Sequence, residues 1–208
     1  NALKTVVDQA KEKGIVVSAE AQPISNAQID GSLDEYGIGY AIGSAAAEWI
    51  NTEQDGQGKA LILAQDDVEA VIRRGDGIQD GIMDNAPDAE VVARQNASST
   101  DLGMKVTESV LLAQPDVNVI CACDDYTAIG AYEAVSAMPE IAENFYIGGC
   151  DATDEGKEKM KEEGSVYRSS CNLFPYQAGE DLAEAMYKYL TETQEDAVVE
   201  RRYEPVWQ

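Results

Sequence analysis

Residues 111–135 read LLAQPDVNVICACDDYTAIGAYEAV. A helical pattern ends at Ala113, the pair Pro115-Asp116 turns the chain, and an apolar run from Val117 to Cys123 follows. Two aspartates, Asp124 and Asp125, then lead into a second helical pattern over Tyr126–Ser136. A strand that is apolar on successive positions, rather than on alternate ones, is buried on both faces. Placed between two helices, it reads as one strand of a parallel sheet whose neighbours are reached by helical crossovers.

The same alternation extends outward on both sides. Downstream come a strand over Phe145–Cys150, a charged helix over Asp154–Glu163, a strand over Val166–Cys171, a helix over Gln177–Leu190 and an extended tail, Val198–Trp207. Upstream, Leu102–Ala113 is a helix that Ser98 with Asp101 should cap, and Glu90–Gln95 is a strand. Asp66 with Glu69 has the spacing of a capping box opening another helix after the strand Lys59–Gln65. Gly37–Ile50 is a helix whose small residues Gly39, Gly43 and Ala46 permit close packing. Before it lie a polar loop, a short strand Ile15–Ala19 and a helix Ala2–Lys13 stopped by Gly14. The expected fold class is α/β, a parallel sheet flanked by helices with right-handed crossovers. Only the tail breaks the rhythm, and no internal repeat is visible.

With 208 residues the chain can bury one substantial core or two small ones. Fifteen basic residues against 39 acidic ones give a net charge of −24, which repels phosphate backbones, so no nucleic-acid partner is expected. Histidine is absent, which removes the commonest general base and metal ligand together with every Ser-His-Asp or Cys-His arrangement. No enzyme activity, metal or cofactor is therefore expected. No apolar run approaches the roughly 20 residues that cross a bilayer. Cys121, Cys123, Cys150 and Cys171 match neither a zinc ribbon nor a C-x-x-C motif. Buried free thiols are their ordinary reading, which in an exported protein suits an anaerobic habitat; a disulfide stays open.

Ligands of open parallel α/β sheets bind beyond the carboxyl ends of the strands. Three successive strands here end in Cys followed by Asp124, Asp151 or Asn172. Side chains alternate along a strand, so the polar ends should meet at one rim with the thiols packed behind. Carboxylates and an amide suit a polyhydroxylated ligand and would also suit an amine. Asp124 and Asp151 could equally serve as helix N-caps. Of the adjacent Arg73 and Arg74, at least one should face the rim and offer planar, bidentate donors. Three lookalikes fail on spacing: Gly37, Gly39 and Gly43 are not a dinucleotide fingerprint, no P-loop occurs, and Asp151, Asp154 and Glu155 are not a calcium loop.

At these residues the chain resembles the type I periplasmic sugar-binding proteins of the ribose- and galactose-binding group, a fold shared with the effector domain of lactose-repressor-like regulators. The likeness runs through ALKTVVDQAKEKGIVV (2–17), RRGDGIQDGI (73–82), the opening stretch, YIGGCDATDEGKEKMKEEGSV (146–166) and SSCNLFPYQAGEDLAEAM (169–186). It implies a type I periplasmic-binding-protein-like architecture in which Arg74 grips sugar hydroxyls, Asp151 is the binding aspartate and Asn172 the late Gln or Asn. Asp124 falls where the family usually has Asn. Gln22 falls near a polar pair at an N-lobe strand end, although SAEAQ (18–22) departs from the pattern and Glu20 is an alternative. The stacking aromatic expected near Ser98 is absent. The resemblance further implies a complete C-lobe, residues 37–172 and 198–208, with a partial N-lobe and hinge, residues 1–36 and 173–197. The function implied is that of an extracytoplasmic solute-binding component of an ABC transporter, periplasmic or a cell-surface lipoprotein. It would hold a sugar or polyol in an interlobe cleft, dock on a membrane permease and, as a truncated form, self-associate. A ligand-sensing effector domain of a transcription regulator or membrane sensor is the alternative.

Overall fold

The computed structural model of the chain describes residues 3–138 and 144–208, so the expected start of the first helix at Ala2 lies outside the described residues. Two compact units are present, one of residues 35–172 with 204–208 and one of residues 1–34 with 173–203.

The larger unit is built on a six-stranded sheet. Its strands are β3 (Lys59–Ala64), β4 (Glu90–Asn96), β5 (Val119–Ala122), β6 (Tyr146–Cys150), β7 (Tyr167–Asn172) and β9 (Glu204–Trp207), in the order β4-β3-β5-β6-β7-β9. All neighbours are parallel except β9, which runs antiparallel to β7. Every residue of β5 and of β6 is buried, as a strand covered on both faces requires. Helices α2 (Glu35–Glu53) and α3 (Ile72–Asn85) cover one face; α4 (Thr100–Ala113), α5 (Asp125–Ser136) and α6 (Asp154–Lys161) belong to the other. On that second face Leu61 and Leu63 of β3, Ile120 of β5, Ile147 of β6 and Tyr167 of β7 pack with Leu111, Ile129, Val135 and Met160.

Helices α2 and α3 meet backbone to backbone. A Cβ on Gly39 would lie 2.0 Å from the Arg74 carbonyl oxygen, and one on Gly77 would lie 2.2 Å from that of Tyr36. Only glycine allows this approach, and it sets the start of α2 against the start of α3.

The smaller unit holds α1 (Lys4–Glu12), β1 (Ser18–Ala21), β2 (Ile29–Ser32), α7 (Pro175–Lys188) with a π-helical turn over Tyr189–Thr193, and β8 (Ala197–Val198). Its sheet is parallel, in the order β1-β2-β8. Helix α7 packs on β2 through Leu182, against Gly31. Arg201 ties the unit together by donating to Glu20 Oε1 at 2.8 Å and to the Gly31 carbonyl at 2.9 Å.

Four expectations change. The polar loop before α2 contains β2, in which only Ile29 and Gly31 are buried. No capping box opens α3: the helix starts at Ile72 behind Val71, while Arg94 claims the Asp66 carboxylate, its Nε at 2.9 Å. Ser99, not Ser98, caps α4, its hydroxyl accepting from the Leu102 amide at 3.3 Å. The tail is two strands, β8 pairing with β2 and β9 with β7, rather than one extended piece.

Candidate functional site

The carboxyl ends of β3, β5, β6 and β7 are adjacent in the larger unit, and four of the five residues singled out in the sequence stand there. Asp124 follows β5 and is 9% exposed. It is the N-cap of α5: Oδ1 accepts from the Thr127 amide at 2.7 Å, and Oδ2 accepts from the Thr127 hydroxyl at 3.2 Å and from the Gln65 side-chain amide. Asp151 follows β6 with φ 94°, and its amide donates to the Cys171 carbonyl at 2.8 Å. A left-handed backbone on a residue with a Cβ is strained, and such strain collects at functional positions. Burial raises the Asp151 carboxyl to a pKa of about 6; Arg74 pulls it back, while Asp125 and Asp124 push it up. Asn172 closes β7 opposite Glu204 of β9.

Arg74, in the first turn of α3, is 7% exposed. Its Nε donates to Glu35 Oε2 at 2.7 Å, Nη2 lies 2.6 Å from the same oxygen, and Nη1 donates to the Cys123 carbonyl at 2.7 Å and to Cys150 Sγ at 3.7 Å. Arg73 turns outward, its guanidinium 5.8 Å from the centre of the Tyr36 ring. The fifth residue, Gln22, belongs to the smaller unit: it is exposed just past β1, its amide donating to the Glu20 carbonyl at 2.7 Å. Glu20 itself is engaged by Arg201.

Behind the rim all four thiols are free and buried. Burial pushes Cys123 up to about 12 and Cys150 well above the ordinary thiol range, so neither is poised as a nucleophile. Among the described residues no His, Cys, Asp or Glu cluster is arranged to hold a metal ion.

Sequence reading missed three contributors. Glu35 is one acid among many in an acidic chain, and only its place at the start of a glycine-spaced helix singles it out. Gln65 was read as the end of a strand. Asp125 sits beside Asp124 and reads as its duplicate, yet it is fully buried. Its Oδ1 accepts from the Tyr167 hydroxyl at 2.5 Å and the Ser170 hydroxyl at 2.6 Å, and its Oδ2 from the Thr153 amide at 2.6 Å and hydroxyl at 2.8 Å. Four neutral donors thus fasten α5 to the loop before α6 and to β7. A β-bulge makes this fit: Ile147 pairs with Tyr167 and Gly148 with Ser169, so Arg168 is skipped by β6 and Tyr167 and Ser170 face the same side.

The chain belongs to the periplasmic binding protein domain family, which matches residues 1–194. It is 25% identical over 167 residues to the ABC transporter periplasmic-binding protein YphF of Escherichia coli strain K12, covering 77% of this chain and 51% of that protein. The chain therefore spans about half the length of this curated relative. Among solved structures it is similar to a periplasmic solute-binding protein of an ABC transporter from Actinobacillus succinogenes, crystallised with D-allose: TM-score 0.83, 23% identity, 97% of this chain and 73% of that one. A periplasmic ribose ABC transporter protein from Conexibacter woesei matches with TM-score 0.85 at 19% identity, over 99% of this chain and 69% of its own. At these identities the structural likeness establishes the fold, a type I periplasmic-binding-protein-like α/β architecture.

Proposed function

We propose that this chain forms the ligand-holding part of an extracytoplasmic solute-binding protein that delivers a sugar or polyol to an ABC permease and performs no chemistry. The observation that carries this reading is the gathering of Arg74, Asp124 and Asp151 at adjacent strand ends in a chain of this family. Such a rim offers a guanidinium and carboxylates to hydroxyl groups, the donor and acceptor pattern a polyol needs. Asn172 completes it from β7, and Gln22 is proposed as a ligand contact of the smaller unit. Asp124 has both oxygens engaged by Thr127 and Gln65, so its contact is the weakest of the rim. The chemistry argues against catalysis: there is no imidazole, and the thiols are held neutral. No described helix is long and apolar enough to cross a membrane; periplasmic and lipoprotein placements both fit a receptor of this kind.

The test is a thermal-shift screen of the complete gene product against pentoses, hexoses, polyols and amino sugars, since a ligand bound by the native state alone raises the melting temperature. A saturable rise with one class, lost in Arg74→Ala and Asp151→Ala, is the expected outcome. A well-folded protein with no shift across the panel would remove the sugar reading.

A further inference from the structure

The guanidinium of Arg74 presents two edges, and the one formed by Nε and Nη2 is the edge that grips a carboxylate or phosphate. Here Glu35 already occupies that edge, with both nitrogens on Oε2 at 2.7 and 2.6 Å. The pair is largely shielded from water, with side chains 8% and 11% exposed. Two features keep it in place: the glycine contact that sets α2 against α3, and the position of Glu35 in the first turn of α2, where the helix end favours an anion.

Arg74 still draws on Asp151, but with Glu35 neutralising it the carboxylates of Asp124 and Asp151 outweigh its charge at the rim. The other arginines of the region are taken up elsewhere, Arg73 on the Tyr36 ring and Arg94 by Asp66 and Asp76. A ligand meeting this rim therefore finds a donor group without net positive charge and a field of carboxylates.

We infer that Glu35 is a specificity-determining residue: by holding Arg74 it leaves the rim negative, so that the site favours an amine-bearing sugar or polyol and rejects sugar acids and sugar phosphates. The inference rests on the sugar-receptor reading above and adds to it the charge class of the ligand and the residue that sets it. Rejection by like charge is a separate source of specificity from the fit of hydroxyl groups.

The experiment is calorimetric titration of the complete gene product with two matched trios: D-glucose, D-glucosamine and D-glucuronate, and D-galactose, D-galactosamine and D-galacturonate. The amine should bind at least about tenfold more tightly than the matching uronate. Glu35→Gln keeps the shape and an acceptor oxygen but frees the charge of Arg74. It should tighten uronate binding about tenfold while moving the neutral sugar less than about threefold. Glu35→Gln with Arg74→Gln should lose that gain, and Asp124→Asn gives a second route to the same shift should Glu35→Gln fold poorly. Uronates binding the wild type as tightly as the amines, or an unchanged ratio in folded Glu35→Gln and Asp124→Asn, would overturn the inference and leave the receptor reading standing. Binding by no member of either trio would overturn the inference and leave the receptor reading to the pentose and polyol arms of the thermal-shift screen.

Discussion

Two polar clusters flank the same strand ends on opposite faces of the sheet, and they are built on opposite plans. Beneath α2 and α3, one cation, Arg74, donates to a carboxylate, a carbonyl and a thiol. Beneath α5, one anion, Asp125, accepts from two hydroxyls of β7 and from the amide and hydroxyl of Thr153. The first carries its counter-charge with it. The second has only neutral donors. A buried charge can thus be held either by pairing or by solvation with fixed dipoles, and the choice fixes what a site can do next. The Asp125 cluster is closed and structural, whereas the Arg74 cluster reaches the strand end beside Asp124 and acts on Asp151.

If that contrast is right, removing Asp125 should do the greater damage. Asp125→Ala strands four donors at once and should cost about 3–5 kcal/mol in urea unfolding. A loss under about 1 kcal/mol would mean that water replaces the carboxylate easily. Arg74→Met should cost less, about 2–4 kcal/mol, because Glu35 retains some contact with solvent. Adding Glu35→Gln to Arg74→Met should recover at least about half of that loss in a double-mutant cycle, since no lone charge is then left behind.

The third prediction concerns pH. The carboxyl of Asp151 is raised in the folded protein, to about 6 from 3.8. Ionising it therefore costs more when folded than when unfolded, and its contribution to stability is lost as pH rises from about 4 to about 6. Wild type should lose about 3 kcal/mol over that window relative to Asp151→Asn, and above it the difference should stay flat. Parallel profiles for the two proteins would place Asp151 in water. The smallest effect is expected for Cys150→Ala, about 1 kcal/mol, because the thiol gives Arg74 only a long sulfur contact.

Much of the fold was readable because apolar runs and helical periods alternate without interruption from β3 to β7. What failed shares one cause, a local signal outbid by a distant partner. Strand β2 offers a single large apolar residue, Ile29, and is a strand because β1 and β8 pair with it. The Asp66–Glu69 spacing suggested a cap, but Arg94 from β4 reaches Asp66 first. The tail divides because each half finds a different sheet. Within the site, residues marked by position at strand ends or by the paired arginine were legible. Glu35 and Asp125 were not, since their importance depends on what faces them across a helix pair and beneath a bulge.

The bulged position of Arg168 has a genetic corollary. It sets the phase of β7, putting Tyr167 and Ser170 on one side with Asp125 and Ser169 on the other with the Tyr146 hydroxyl at 2.7 Å. Loss of that single codon would straighten the ladder while leaving each later residue on its present partner of β6 and on its present face, Asn172 included. Substitutions at Arg168 remove only its bonds to Phe145 and Gln208 and should be tolerated. An in-frame deletion there should therefore also be tolerated, whereas a one-residue insertion after Ser169 would turn Ser170 and Asn172 to the wrong faces and should behave as a null allele.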